Sequence, residues 1–414
     1  MEIRQKSYVQ MHNTQDKILL LGGSYAQIPA IKAANDRGLY TILCDYLPDN
    51  PGQKFAAEYI NASTTDKKRI LEIARERRVD YVWAYASDPA APTAAYVSEK
   101  LGLPGNSYES VITLSEKHLF RQLQKESGLN YPASLSFTKS EISEDRLEMN
   151  MEYPLIVKPV DSSGSKGVVL INNPSEFKKA ANYASSFSRS DRIIVEEYVD
   201  AEGPQLHGDG FVVNGTLIFW YLGDHFYNDE VNPFVPYSTV WPSEKSETDL
   251  NRVYKVISHL IECSGFKNGS INIEVRFAKD DEIYIMEMGP RSGGNFVPKL
   301  LEYATGFDAI EAGLNIATGK QVLKPEIKKE FAAYYVIHSK HNGYLKNITI
   351  SENLTAHIKE QHQYVNIGGE VHSFQGSNAA IGILLMTFPD KETMDDVMGK
   401  MDQYINIEVE QDAK

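Results

Sequence analysis

The strongest constraint on the fold is a strictly alternating stretch, residues 271–277 (INIEVRF), followed a few positions later by residues 283–288 (IYIMEM). In the first, Ile271, Ile273, Val275 and Phe277 fall on one face of a strand, and Asn272, Glu274 and Arg276 on the other. With Asp280-Asp281 as a two-residue hairpin turn, residue 279 pairs with 282, and the same register sets Glu274 directly opposite Glu287. Two facing carboxylates destabilise a sheet unless a cation lies between them. Oxygen ligands of this kind suit magnesium, which keeps several waters and needs only one or two carboxylates plus substrate phosphates. A solvated polar face with an offset register would give the same alternation.

A second feature points the same way. Residues 154–158 (PLIVK) form an apolar strand ending in Lys158, and a Gly/Ser loop, residues 161–167 (DSSGSKG), precedes the next strand. Glycines let backbone N–H groups approach phosphate oxygens, and a lysine adds a point charge beside them. The pattern suits a nucleoside triphosphate. It is not a Walker loop, since no Gly-Lys-Ser/Thr enters a helix. Taken alone, such a loop is more readily a surface hairpin turn, but a lysine within an apolar strand requires a partner. Arg291, four residues after Glu287, precedes Ser292-Gly293-Gly294-Asn295 and is placed to neutralise charge on a phosphoryl group or to hold a carboxylate.

Upstream, residues 17–21 (KILLL), a helical pattern through Ile31 and Ala34, and a second apolar run ending at Asp45 make a strand-helix-strand unit. A strand at Tyr81-Val82-Trp83 and a helix with Ala94, Val97 and Leu101 continue the alternation, which predicts a Rossmann-like parallel sheet over residues 16–113. Ser24 and Gln27 stand where a dinucleotide fingerprint needs its second and third glycines, which argues against a nicotinamide enzyme. Asp45 carries no assigned role.

The expected organisation is α/β plus α+β: a disordered tail (1–15), the Rossmann-like domain (16–113), an α+β domain (114–325) and a small C-terminal α+β domain (326–414). The last is expected to contain a strand at 380–388 and a closing helix through Met394, Val397 and Met401. At 414 residues and 42% hydrophobic content the chain is large enough for two or three cores. Its 56 acidic against 42 basic residues, net charge -14, argue against a grip on nucleic acid. Neither Cys44 nor Cys263 has a metal or redox spacing. No apolar run reaches membrane-span length, so a cytoplasmic protein without membrane association is expected.

Five segments in order, SEKHLFR (115–121), PLIVKPVDSSGSKGV, IVEEYV (194–199), NIEVRF and EMGPRSGGN, resemble the ATP-grasp superfamily, in the branch of carbamoyl-phosphate synthase-like proteins, amino-acid ligases and glycinamide ribonucleotide synthetase. The resemblance covers nearly all of residues 16–414. It implies a pre-ATP-grasp domain, an ATP-grasp domain with a mobile lid at about 125–199, and ATP with Mg2+ (or Mn2+) as cofactors. Lys117 and Lys158 resemble the phosphate-contacting lysines; Ser163, Gly164 and Gly167 belong to the flap over the phosphates; Glu196, Glu197, Tyr198 and Val199 resemble the hinge that meets adenine. Glu274 and Glu287 match the magnesium ligands, and Arg291 the arginine at the acyl-phosphate centre. Arg276, Gly294 and Asn295 are added as substrate-side candidates. Gly289 replaces the asparagine that many members use as a further metal ligand, and Gln205 replaces a glutamate often found on the ribose hydroxyls.

The implied reaction joins a small carboxylic acid, an amino acid or sugar acid, to an amine through an acyl phosphate, releasing ADP and phosphate. A small-molecule kinase and a non-catalytic nucleotide-binding module are the alternatives, and relatives are commonly homodimers. His207 and His225 lie in a stretch that could line the substrate side but read as ordinary strand residues.

Overall fold

A computed structural model describes residues 15–142, 150–228 and 231–411. The expected tail therefore lies outside the described residues except for Gln15. Four sheets organise the chain. The first contains β1 (Lys17–Leu21), β2 (Tyr40–Asp45), β3 (Glu58–Asn61) and β4 (Tyr81–Trp83), all parallel, in the order β3-β2-β1-β4. Leu19, Ile42 and Leu43 are fully buried, as strands covered by helices on both faces require. Asp45 is a structural residue: its carboxylate accepts the Gly23 N–H (2.8 Å) and the Leu47 N–H (2.9 Å). The Gly22-Gly23 turn is filled from the side, since a Cβ on Gly23 would meet Asn50 Oδ1 at 2.0 Å.

The second sheet, antiparallel, is built from β5 (Ser134–Thr138), β6 (Leu155–Pro159), β7 (Val169–Ile171) and β8 (Arg192–Glu197) in the order β5-β8-β6-β7. The helix Phe177–Ser185 seals one face with Phe177, Ala180, Ala181 and Ala184.

The remaining strands are β9 (Leu206–Val213), β10 (Thr216–Asn228), β11 (Asn232–Trp241), β12 (Gly269–Phe277), β13 (Ile283–Gly289), β14 (Phe331–Ile337), β15 (Gly343–Ile350), β16 (Ile358–Gln363), β17 (Glu370–Val371), β18 (Gly382–Phe388) and β19 (Ile405–Glu410). Eight of them form one sheet, β13-β12-β9-β10-β11-β14-β18-β16, and β17-β15-β19 form a small one. Strands from after residue 326 thus complete the same sheet that carries the carboxylates: β11 pairs with β14, and β14 with β18. The expected closing helix is split into Lys391–Met398 and Met401–Tyr404, and β19 follows it. Gly399 and Lys400 intervene, and the second piece turns at once into an edge strand.

The alternation of residues 271–277 appears as expected. Ile271, Ile273 and Val275 are fully buried against the helix Glu247–Ser264, while Glu274 and Arg276 on the opposite face line a cavity with Ile156, Lys158 and Glu196 of the second sheet. No helix among the described residues is long and apolar enough to cross a membrane.

Candidate active site

Glu274 and Glu287 are directly paired across β12 and β13, but not for the reason the alternation suggested. The turn has three residues, 279–281, closed by Ala278 N–H to the Glu282 carbonyl (2.9 Å), with Asp281 at φ 65°. Near the turn Phe277 therefore faces Ile283, and Val275 faces Ile285, one position out of the register expected from a two-residue turn. A bulge at Met286 restores it. The carbonyls released by the bulge are taken from the helix Lys117–Glu126: Arg121 Nη2 donates to Met286 O and Gln124 Nε2 to Ile285 O, both at 2.9 Å. Burial, and then the Glu287 charge, push the Glu274 carboxyl up to about 7. Arg276, Arg291 and Lys117 offset this only in part, and the oxygen donors of the pair fit Mg2+.

Arg291 reaches back to the first sheet. It donates to both oxygens of Asp88 (2.5 and 2.7 Å) from the loop after β4, and to its neighbour Ser292 O. Burial works against both charges, but each stabilises the other, so the Asp88 carboxyl stays below its ordinary range and the guanidinium is held charged. Asp88 carried no motif; only its place at the carboxyl end of a parallel strand, where such folds bind ligands, marked it. The pair also explains Gly289, where a Cβ would meet Asp88 Oδ1 at 3.1 Å. An asparagine there would crowd the ion pair. The loop bearing Gly294 and Asn295 is anchored by buried Asp209, which accepts the Gly293 N–H (2.8 Å) and Asn272 Nδ2 (2.8 Å). Burial raises that carboxyl to about 6 against these two donors.

Lys158 has a protein partner. Its Nζ lies 2.5 Å from Glu196 Oε2, and Arg121 Nε is 2.9 Å from the other oxygen. Glu196 lines the cavity at the start of the hinge, and its side chain, 1% exposed, is held between these two cations. Burial alone would raise this carboxyl, but Arg121 and Lys158 draw it down to about 2. Burial lowers the Lys158 ammonium, with Glu196 opposing and Arg121 and Lys117 adding to the fall.

Lys117 Nζ donates to Ser162 O (2.9 Å) at the base of the flap. Ser163 and Gly164 line the cavity, with Gly164 at φ 65°. Gly167 instead packs toward Phe187 and Pro159. Ser165 Oγ donates to Phe234 O (2.6 Å), so the flap meets the opposite wall.

Glu197, Tyr198 and Val199 line the cavity along the hinge. Arg276 belongs to this end: it donates to Val199 O (3.2 Å) and lies 5.7 Å from the Tyr198 ring centroid. Gln205, also on the cavity wall, accepts from Arg276 Nε (2.7 Å) and donates to Glu274 Oε2 (2.8 Å). Arg276 therefore sits at the hinge end of the cavity.

Lys117, Lys158, the flap, the hinge, Glu274, Glu287 and Arg291 surround one cavity of about 510 Å3, together with Asp88, His207, His225, Tyr227 and Tyr334. The two histidines, unremarkable in sequence, are stacked at 4.2 Å and buried.

Residues 151–299 match the model of the ATP-grasp domain. The chain is 25% identical over 279 residues to the formate-dependent phosphoribosylglycinamide formyltransferase of Prochlorococcus marinus, covering 66% of this chain and 70% of that protein. It is 23% identical over 406 residues to the carbamoyl phosphate synthase large chain of Thermotoga petrophila, covering 93% of this chain but only 35% of that one. Among solved structures, the L-amino acid ligase from Bacillus licheniformis superposes with a TM-score of 0.81 at 20% identity, over 96% of this chain and 99% of the other, a likeness of fold. Residues 151–299 thus match an ATP-grasp domain, and the fold of the whole chain is like that of the L-amino acid ligase.

Proposed function

We propose that this chain is a Mg-ATP-dependent carboxylate-amine ligase acting on small molecules. The observation that carries the reading is the facing pair Glu274 and Glu287 in the same cavity as Arg291, a glycine flap and a hinge. Magnesium held by that pair would supply charge neutralisation at the phosphate oxygens. Lys117 and Lys158 add fixed charge under the flap, and the hinge backbone at 197–199 receives the base.

In the first step an oxygen of the acid bonds the γ-phosphorus while the bond to the bridging oxygen breaks, and ADP leaves with that electron pair. In the second, the amine nitrogen bonds the acyl carbon, phosphate leaves with the C–O electron pair, and the nitrogen gives up a proton. The chain's own contribution is orientation and charge. Arg291, already held charged by Asp88, is positioned to meet the acid and the phosphoryl group between them.

A screen of carboxylic acids crossed with amines, read by phosphate release with Glu287→Ala as the blank, tests this. Phosphate released only when acid and amine are both present is expected. A stable phosphorylated product would make the chain a kinase, and no substrate-dependent turnover across the screen would overturn catalysis altogether.

A further inference from the structure

The carboxylate pair has a neighbour the reaction above does not use. On β9, His207 is paired across the sheet with Glu274, and His225 on β10 is stacked on His207 at 4.2 Å and 14° between planes. One donor atom from each of His207, His225 and Glu274 lies within 4.8 Å of the others. Both imidazoles are more than nine-tenths buried, at 7% and 4% exposure. His207 Nδ1 has no hydrogen-bond partner, which is a cost for a buried polar atom unless a ligand meets the ring. His225 Nδ1 is engaged by Thr239 Oγ1 at 2.5 Å, which leaves its Nε2 available.

We propose that His207, His225 and Glu274 form a second divalent-cation site, for a borderline first-row ion such as Co2+ or Zn2+, sharing Glu274 with the magnesium pair. Two imidazoles and one carboxylate are a ligand set that such ions favour over magnesium, which prefers oxygen. Burial keeps both rings neutral, the form that binds metal. The Thr239 hydroxyl supplies the outer contact that sets which ring nitrogen of His225 is free. The site also fits the departure at Gly289: the position of the usual third oxygen ligand is crowded by Asp88, while the other side of Glu274 carries two nitrogens.

Coordination requires movement. Metal bonds of about 2.0–2.2 Å put neighbouring ligand atoms roughly 3–4 Å apart, and a cation lies in the plane of each imidazole it binds. The stacked rings must therefore turn apart, a rotation about the soft terminal torsion of each histidine.

Cobalt titration in excess magnesium, followed by visible absorption, tests the site without reference to turnover. The wild type is expected to bind one cobalt ion that magnesium does not displace, with the strong bands of nitrogen ligation. His207→Ala and His225→Ala should each weaken it at least tenfold, and Thr239→Val roughly 10–100-fold, the usual effect of a lost outer contact. Glu287→Ala, which touches only the carboxylate pair, should retain the bands. Displacement of all cobalt by magnesium, or unchanged binding in both histidine variants, overturns the proposal. Should those variants not fold, X-ray absorption at the cobalt edge of the unmodified chain in excess magnesium decides: imidazole scattering supports the site, and its absence refutes it.

Discussion

Glu196→Gln is the substitution whose cost the structure states most directly. The wild-type carboxylate is 1% exposed between Arg121 and Lys158, and the variant leaves two buried cations sharing a neutral amide. Two routes give the size of the loss. The carboxyl group falls from its ordinary 4.5 to about 2, which corresponds to about 3 kcal/mol. Removing one partner of a buried ion pair independently costs about 3–5 kcal/mol.

The group is depressed, so its contribution is present above pH 4.5 and lost as pH falls from there toward about 2. Urea denaturation at pH 7 should therefore show Glu196→Gln less stable by about 3 kcal/mol, and the gap should close in acid. Lys158→Met, which leaves Glu196 its Arg121 partner, should cost less, and on that background Glu196→Gln should cost roughly 1–2 kcal/mol less than in the wild type. A Glu196→Gln protein within about 1 kcal/mol of wild type, or strict additivity with Lys158→Met, would refute the reasoning.

Asp88→Asn removes the charged partner of Arg291 and should lower phosphate release at least about tenfold while nucleotide affinity, measured by calorimetry, changes little. Gly293→Ala places a Cβ 2.8 Å from Asp209 Oδ1 and should cost about 1–3 kcal/mol, seen as a lower melting temperature, with loss of activity as the Asn295 loop shifts. Gly289→Asn, which restores the asparagine common in the superfamily, should lower turnover rather than raise it, because the side chain meets the Asp88–Arg291 pair first. Improved turnover at raised magnesium in that variant would contradict this account of the position.

Local pattern was enough for the chemistry carried by single strands. The period of residues 271–277 determined which face is buried, and with the ordered motifs it marked Glu274, Glu287, Arg291 and the flap. It was also enough to set aside a nicotinamide site, since Ser24 and Gln27 interrupt the glycines. The pairing of Glu274 with Glu287 came out as expected only because a three-residue turn and the Met286 bulge shift the register in opposite senses. Neither is visible in alternation, which counts faces and not insertions.

What the tertiary structure alone decided are the partners that lie far apart in the chain. Glu196 meets Arg121, 75 residues away, and Arg291 meets Asp88, 203 residues away, so each of these charges is held in place by a distant partner. His207 and His225 lie on adjacent strands whose pairing brings their rings together beside Glu274. The C-terminal strands likewise join the central sheet because hydrogen bonding between strands ignores sequence distance. Periodicity reports which way a side chain faces; only the folded chain supplies what it faces.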